Sequence, residues 1–475
     1  MKILFIQDNG INESLALTEL SALLKSKSHE CELLIEKEEK NILGEIRKHN
    51  PELIVFPFGI MGQEYALRLS KEIKDILSVP IVFAGSHPTF YPEIIEHPCA
   101  DIVCIGETDY SIPELADNLE KGRDIKRIKG LWVKEGKNIY RNSFAPLMEN
   151  LDAMPVPDRE LYYKYNFLRK MPMKRFSSGR GCVHSCAYCF NHILRSNFKN
   201  QKYTRKKSVG RMVEEISIIK DIYPLKTLHF SDDLFPVDRN WVKKFCEQYK
   251  KEIGLPFTFN STADLMAEDV VKSVSSAGCS GVAIGIETGN ERLRKTILNK
   301  NISNRQIIEA GTKIKKAGMK IATFNMLANP GETIEDAFMT MKLNSIISAD
   351  NPRVTLSYPI KNSTLYDYAI KNGFLDEREF DKNDMAQQKA IYKSDCKKEF
   401  ENLFYLFRFG CKHPRYINAI RKLIKLPANK FFAFAKILSP LDEKGFFDIG
   451  LLSGMEFYMH CGNPSLRTTN YTSVI

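Results

Sequence analysis

The first 130 residues alternate short apolar runs with longer stretches whose apolar positions recur at helical spacing. Lys2–Gln7 is an apolar run ending in the turn Asp8-Asn9-Gly10. Over 13–27, Leu15, Leu17, Leu20, Leu23 and Leu24 recur as they would along a helix. Further apolar runs follow at 31–35, 53–58, Ile81–Ala84 and 101–105, with helical patterns over 41–49 and 63–77. Runs that are apolar throughout predict strands covered on both faces, hence a parallel sheet with helices on each side. Such a doubly wound α/β sheet takes ligands at the carboxyl ends of its strands.

A second strand–helix series starts near Phe176 and runs to about Pro359. Its strands read as 175–178, Thr227–Phe230, 257–260, 282–286, 321–326 and 354–358. Helices are expected between them at roughly 208–221, 239–252, 267–277, 304–317 and 334–348. Six such units make an incomplete (β/α)6 barrel, with chemistry at the carboxyl ends of the strands. Between the two series a hairpin at 130–140 leads to Pro155 and Pro157, which favour extended chain. The partition is a Rossmann-like domain over 1–135, a linker over 136–170, a partial barrel over 171–370 and a helical C-terminal region over 371–475. Phe404, Tyr405, Phe407, Phe409, Phe431, Phe432 and Phe434 of that last region are read as core, and Cys396, Cys411 and Cys461 as structural.

The chemistry is concentrated after the first barrel strand, in Arg180-Gly181-Cys182-Val183-His184-Ser185-Cys186-Ala187-Tyr188-Cys189-Phe190-Asn191. The spacing is C-x3-C-x2-C. Three thiolates hold three irons of a 4Fe–4S cubane and leave the fourth without a protein ligand, whereas an electron-carrying ferredoxin cluster uses four cysteines. A zinc site drawing on His184 or His192, or three inert thiols, is the competing reading.

The triplet, with an aromatic residue before its third cysteine, resembles the radical S-adenosylmethionine (SAM) superfamily, in which SAM chelates the open iron. Gly85-Ser86-His87-Pro88-Thr89-Phe90-Tyr91-Pro92-Glu93, followed by Ile105-Gly106-Glu107, resembles the cobalamin-binding domain that precedes many radical SAM barrels. The resemblance spans about residues 1–370. It departs from the usual pattern at Ser86 and at Thr108-Asp109. Asp8-Asn9-Gly10-Ile11-Asn12-Glu13 also lacks the histidine that replaces the lower cobalt ligand in other cobalamin domains. A base-off cobalamin is therefore expected, with His87 positioned by its loop. The cobalamin residues implied are Asp8, Asn9, Gly59, Gly85, Ser86, His87, Thr89, Gly106 and Glu107.

For the barrel the resemblance implies Cys182, Cys186 and Cys189 as cluster ligands and Tyr188, Ser231, Asp232, Asn260, Thr262, Glu287 and Asn325 around SAM. For several of these a structural role is the alternative: loop packing for Tyr188, a helix cap for Asp232 or Asp233, a buried carboxylate for Glu287. Glu332, in Asn329-Pro330-Gly331-Glu332-Thr333, is expected to start the next helix rather than to catalyse. The implied activity is methylation of an unactivated carbon through a 5′-deoxyadenosyl radical and methylcobalamin. No general base is assigned, because the cofactors carry the difficult steps. A cyclase or rearrangement enzyme without net methyl transfer shares the motifs. A sensory protein binding cobalamin and an iron–sulfur cluster is the alternative of another class. A methylthiotransferase is disfavoured, since Cys31, Cys99 and Cys104 lack the spacing for a second cluster.

Composition narrows the setting. The chain has 475 residues, 43% hydrophobic and 27% charged, as a soluble globular protein does. It has no apolar run of about 18 residues and no signal-peptide pattern. Eleven cysteines without framework spacing suggest reduced thiols, and a cytoplasmic location is expected. The net charge is +11, and residues 403–445 hold nine Lys and Arg against Asp442 and Glu443. That cluster is read as a solvated helical face, or as a contact with a membrane surface or an anionic substrate. No nucleic-acid motif accompanies it, so no nucleic-acid partner is expected. The expected partners are a small-molecule or lipid substrate and an electron donor such as flavodoxin or ferredoxin.

Overall fold

The computed structural model describes residues 1–10, 13–235, 237–380 and 389–427. The expectations for Phe431, Phe432, Phe434 and Cys461, and for the basic cluster beyond 427, lie outside the described residues. The chain divides into two compact units: Met1–Lys170 with Leu194–Lys207, and Met171–Ile193 with the chain from Ser208 onward.

The first unit is built on strands β1 (Lys2–Gln7), β2 (Glu30–Ile35), β3 (Leu53–Pro57), β4 (Ile81–Ala84), β5 (Ile102–Cys104), β6 (Leu131–Glu135) and β7 (Asn138–Arg141). Their spatial order is β2-β1-β3-β4-β5-β6-β7. The first five are parallel, and Ile6, Ile54, Phe56, Ile81 and Phe83 are fully buried, as uninterrupted apolar runs require. The order reverses between β1 and β3, which opens a crevice at the carboxyl ends. Leu24, Val55 and Leu33 are likewise fully enclosed beneath the helices. The hairpin β6–β7 does not stand in a connector: it pairs antiparallel with β5, Leu131 opposite Cys104, and extends the sheet.

The stretch 136–170 is also no extended tether. Arg159 is buried and ion-paired with buried Glu13. The Tyr162 hydroxyl donates to Gln7 Oε1 at 2.6 Å, and the Tyr165 hydroxyl accepts from the Ile35 amide at 2.9 Å. Asp158 takes Ser21 Oγ at 2.6 Å and Lys25 Nζ at 2.7 Å. The prolines direct the backbone locally, but the aromatic and ionic side chains decide where it lies. Residues 194–207, expected in the barrel, likewise join this unit. Arg205, 2% exposed, forks onto Glu107 at 2.5 and 2.9 Å, and Phe198 and Tyr203 pack with Leu147.

The second unit curls six parallel strands: β8 (Met173–Phe176), β9 (Thr227–Phe230), β10 (Phe257–Ser261), β11 (Cys279–Glu287), β12 (Lys320–Leu327) and β13 (Asn351–Leu356), in the order β13-β12-β11-β10-β9-β8. The two sheets thus give the expected domain order, a doubly wound sheet followed by a half-barrel. Alternate residues face the helices: Phe230, Phe257 and Phe259 meet an aromatic cluster around Phe245. Helices are started by side chains the sequence supplies at each N-cap: Ser208, Asp238, Ser303 and Thr333, the last two as capping boxes. Asp238, not Asp232 or Asp233, caps Arg239–Glu252. Helix Lys397–Lys412 buries Phe400, Leu403 and Phe407 against Phe338, Met341 and Ala337; Phe404 and Phe407 are core as expected, whereas Tyr405 is half-buried and Phe409, on the helix's outer face, is 47% exposed, which corrects the reading of it as core.

Replacing Arg159 with Ala leaves Glu13 buried without a counter-charge, and is expected to cost roughly 3–5 kcal/mol. Urea unfolding followed by circular dichroism measures it; a loss below about 1 kcal/mol would contradict the burial described.

Candidate active site

The cysteine loop leaves β8 through Gly181, whose φ of +84° suits glycine. Its middle is held from two sides: the Ala187 amide donates to the Leu298 carbonyl at 2.9 Å, and the Ala187 carbonyl accepts from the Leu365 amide at 3.0 Å. Asn299 Nδ2 adds a bond to the Ser185 carbonyl at 2.7 Å. Ala187 is buried among Leu293, Leu298 and Leu365, so the residue between Cys186 and Tyr188 cannot shift freely. The His184 amide points at Cys182 Sγ (3.4 Å), and Asn191 Nδ2 at Cys189 Sγ (3.8 Å). Both are donors aimed at sulfur, as thiolate ligands require.

Burial pushes the Cys182 thiol up to about 11 and the Cys189 thiol up to about 12, and it raises Cys186 as well. Thiols so placed ionise when a cation joins them. Among the described residues no trio of His, Cys, Asp or Glu side chains is arranged to hold one metal ion. A cubane binds its three protein ligands at separate corners and asks for a wider donor set than zinc does. The three thiols therefore fit the cluster.

Glu287 ends β11 with φ +66°, an uncommon conformation for a residue bearing a side chain. It is buried and paired with buried Lys300 at 2.7 Å. The Tyr188 hydroxyl hydrogen-bonds the same carboxylate; burial first, and then the Glu287 charge, hold that phenol protonated. Burial opposes the Lys300 charge, but Glu287 and Cys186 beside it outweigh burial and keep the amine above the usual lysine value. Gly285 explains the G-x-E spacing: a Cβ there would lie 2.4 Å from both Glu287 Oε1 and Lys300 Nζ. Sequence reasoning missed Lys300, because a single lysine in Asn299-Lys300-Asn301 carries no motif. It also missed Arg294, fully buried, which donates to the carbonyls of Ile286, Thr288 and Ile302 and shapes the loop after β11.

The remaining expected residues divide. Asp232 accepts from the Ser178 amide at 3.0 Å and the Ser178 hydroxyl at 2.6 Å, and so braces the strand end before the cysteine loop. Asp233 faces that loop: burial raises its carboxyl, while Asn191 and the Gly181 amide hydrogen-bond it. Ser231 Oγ accepts from Arg175 Nε at 2.8 Å, Asn260 Nδ2 reaches the Asp232 carbonyl at 3.4 Å, and Thr262 Oγ1 meets His184 Nε2 at 3.2 Å. Asn325 is a correction. Its amide donates to Thr323 Oγ1 and the Arg353 carbonyl and accepts from Asn344, a residue of helix Ile334–Ile346. It faces the helical layer rather than the barrel interior, because positions 323 and 325 share one face of β12. Glu332 accepts from the Asn329 amide and Nδ2, and burial pushes it up to about 8; it braces the Asn329 turn, and Thr333 rather than Glu332 starts the next helix.

In the first unit, Gly85 has φ +107°, and a Cβ would meet the Phe58 carbonyl at 2.5 Å; Gly106 has φ +80°. Thr89 Oγ1 donates to the Gly85 carbonyl (2.7 Å) and accepts from the Gly106 amide (3.0 Å), tying the loops after β4 and β5 together. At Gly59 an added Cβ would meet only Ser86 Oγ, at 3.6 Å. That open edge beside two glycine turns suits the close approach of a large, flat cofactor. His87 is buried, stacked on Tyr91 at 4.9 Å and bonded through Nδ1 to the Ile60 carbonyl, and burial lowers its pKa. Asp8 is engaged by Lys37 (3.1 Å) and Asn9 (2.9 Å), and Glu107 by Arg205. The loop after β5 is thus held by a buried guanidinium from residues 194–207.

The family model of the Radical SAM superfamily matches residues 176–343, and that of the B12 binding domain matches residues 1–116. The uncharacterized methyltransferase PH0819 of Pyrococcus horikoshii is 30% identical over 335 residues, 70% of this chain and 72% of the relative. The cytidylyl-2-hydroxyethylphosphonate methyltransferase of Streptomyces wedmorensis is 22% identical, over 65% of this chain and 64% of its own length. Among solved structures, the radical SAM methyltransferase TsrM of Kitasatospora setae, with cobalamin and a 4Fe–4S cluster bound, superposes with a TM-score of 0.66 at 15% identity, over 78% of this chain and 75% of its own. The cobalamin-dependent SAM radical enzyme OxsB, with aqua-cobalamin and SAM bound, gives 0.70 at 16% identity, over 96% and 72%.

Anaerobic reconstitution with iron and sulfide is expected to give a cluster absorbance in the wild type and none when Cys182, Cys186 and Cys189 are all alanine. Because the three thiols are raised and must lose protons to bind, iron uptake should strengthen as pH rises from about 7 to about 9. Uptake that is flat with pH would show thiolates already formed.

Proposed function

We propose, for a chain that belongs to the cobalamin-binding branch of the radical SAM superfamily, that it methylates an unactivated carbon of a small-molecule or lipid substrate. The enzyme works with a 4Fe–4S cluster, SAM and cobalamin. When bound, these three supply single-electron chemistry and a methyl group. The protein's share is positioning. Cys182, Cys186 and Cys189 hold the cluster on a loop pinned at Ala187. Lys300 and Tyr188 orient the Glu287 carboxylate toward the ribose or amino group of SAM. Ser231, Asp232, Asn260 and Thr262 line the strand ends beside it, with Asp232 acting through Ser178. The glycine turns at Gly59, Gly85 and Gly106, with Ser86 and Thr89, receive cobalamin; Asp8, Asn9, His87 and Glu107 shape those loops.

The observation that carries the proposal is the pairing, in one chain, of a three-thiol loop on a half-barrel with a glycine-lined doubly wound sheet. The methyltransferase relative at 30% identity supports the choice of reaction. Among the described residues no helix is long and apolar enough to cross a membrane.

Reduced, reconstituted protein given SAM and cobalamin is expected to form 5′-deoxyadenosine, with S-adenosylhomocysteine alongside it once substrate is present. Deoxyadenosine without S-adenosylhomocysteine would replace methylation with cyclisation or rearrangement. Neither product would leave a binding protein.

A further inference from the structure

The last described stretch of the second unit presents an apolar strip that the fold itself does not use. Helix Lys397–Lys412 leads into a short helical turn, Pro414–Tyr416, and the helix Ile417–Leu423 follows. The inner side of this second helix is complete: Ile420 and Ile424 are buried in the cluster that holds Phe338 and Met341. Asn402 Nδ2 ties its end down through the carbonyls of Ile424 (2.8 Å) and Leu426 (2.9 Å). On the outer side Phe409, Tyr416, Leu423 and Leu426 are 47%, 41%, 39% and 49% exposed. Exposed apolar side chains are ordinary when scattered, but these adjoin one another.

The Phe409 and Tyr416 rings stack, 5.6 Å apart and 27° from parallel. Tyr416 and Leu423 are seven residues apart, two turns along one side of the helix. The Leu426 amide closes a further turn onto the Leu423 carbonyl at 3.0 Å. The charges follow the same spacing. Arg415 and Lys422 are also seven apart, with Lys425 one turn on, so a cationic row runs beside the apolar one. The Arg415 guanidinium lies 4.8 Å from the Tyr416 ring centre, and Lys422 and Lys425 are exposed. Glu335 answers Arg421, through Oε2 at 2.6 Å. No acidic residue occurs between Glu401 and Asp442 to answer the other cations locally.

We infer that this face docks on an anionic lipid bilayer. Phe409, Tyr416, Leu423 and Leu426 enter the boundary between headgroups and acyl chains, while Arg415, Lys422 and Lys425 meet the lipid phosphates. Helices that lie in a membrane surface combine these two rows, aromatic and leucine side chains on one and Lys or Arg on the other. The Tyr416 hydroxyl can stay in the headgroup layer while its ring is buried. Lysine is depleted where proteins meet proteins, so the two lysines favour a lipid surface over an acidic protein. Docking here uses none of the residues of the cysteine loop or the glycine turns, and it does not depend on which reaction the barrel carries out.

The test is co-sedimentation of the reconstituted full-length protein with vesicles of phosphatidylcholine alone and of phosphatidylcholine mixed with phosphatidylglycerol. Binding is expected on the anionic vesicles, weakening as salt rises, and only slight on the neutral ones. Each cation beside an anionic surface contributes about fivefold, so R415Q/K422Q/K425Q is expected to lose roughly a hundredfold in partitioning. L423S/L426S is expected to lose about tenfold or more, with its salt dependence unchanged. All five positions are exposed and outside the cofactor sites, so circular dichroism and deoxyadenosine formation are expected to match the wild type. If the leucine variant fails to fold, the charge variant decides. Wild type that stays in the supernatant with anionic vesicles overturns the inference, and leaves a solvated face or a surface for an acidic protein. Variants that sediment as the wild type does overturn it too, by placing the lipid contact elsewhere in the chain.

Discussion

Negative charge in a buried pocket exists only beside positive charge, and that constraint organises this barrel. Three enclosed thiols and the Glu287 carboxylate meet at the carboxyl end of the sheet. Desolvating an ion costs several kcal/mol unless a counter-ion compensates it. Lys300 answers the carboxylate, and a bound iron cluster would answer the thiols as they ionise. The geometry then follows from the charges. Gly285 has no side chain because one would fill the place where Lys300 and Glu287 meet. Glu287 accepts a left-handed backbone to aim its carboxylate inward. Ala187 is bonded through both its amide and its carbonyl, so the loop cannot relax away from the pocket.

The same rule sets where distant parts of the first unit return. Arg159 reaches Glu13, Arg205 reaches Glu107 and Lys207 reaches Glu19, all from segments far along the chain. Each pair lies at or near the carboxyl ends of the parallel strands or on the first helix. A buried ion pair tolerates few alternative partners, because any misplacement strands a charge without solvent. These pairs therefore specify position as much as they stabilise. They hold the loops after β1 and β5, which flank the crevice where the strand order reverses, while the glycines between them leave backbone open to a cofactor.

Much of this was legible in the chain. Apolar runs located the five parallel strands of the first sheet, since strands covered on both faces cannot hide their pattern, and the alternation of strand and helix patterns located the six of the barrel. The cysteine triplet, the glycine turns at Gly85 and Gly106 and the carboxylate of Gly285-Ile286-Glu287 were likewise visible, because each depends on local spacing. Asn325 was not: one residue of register decides whether a strand side chain faces the helices or the barrel, and Thr323 and Asn344 claim it on the helical side. The stretch 136–170 was misjudged because two prolines speak only for their own backbone, whereas Arg159, Tyr162 and Tyr165 answer to partners over a hundred residues away.

By itself, then, the sequence determined the two sheets, their order along the chain and the three-thiol loop, since periodicity and spacing are properties of neighbouring residues. Tertiary structure alone decided that Lys300 partners Glu287, that residues 194–207 join the first unit, and that Asn325 bonds Asn344 of the helical layer. Those outcomes depend on the register of a sheet and the burial of isolated charges. Both arise from the summed packing of the chain, and no local pattern encodes them.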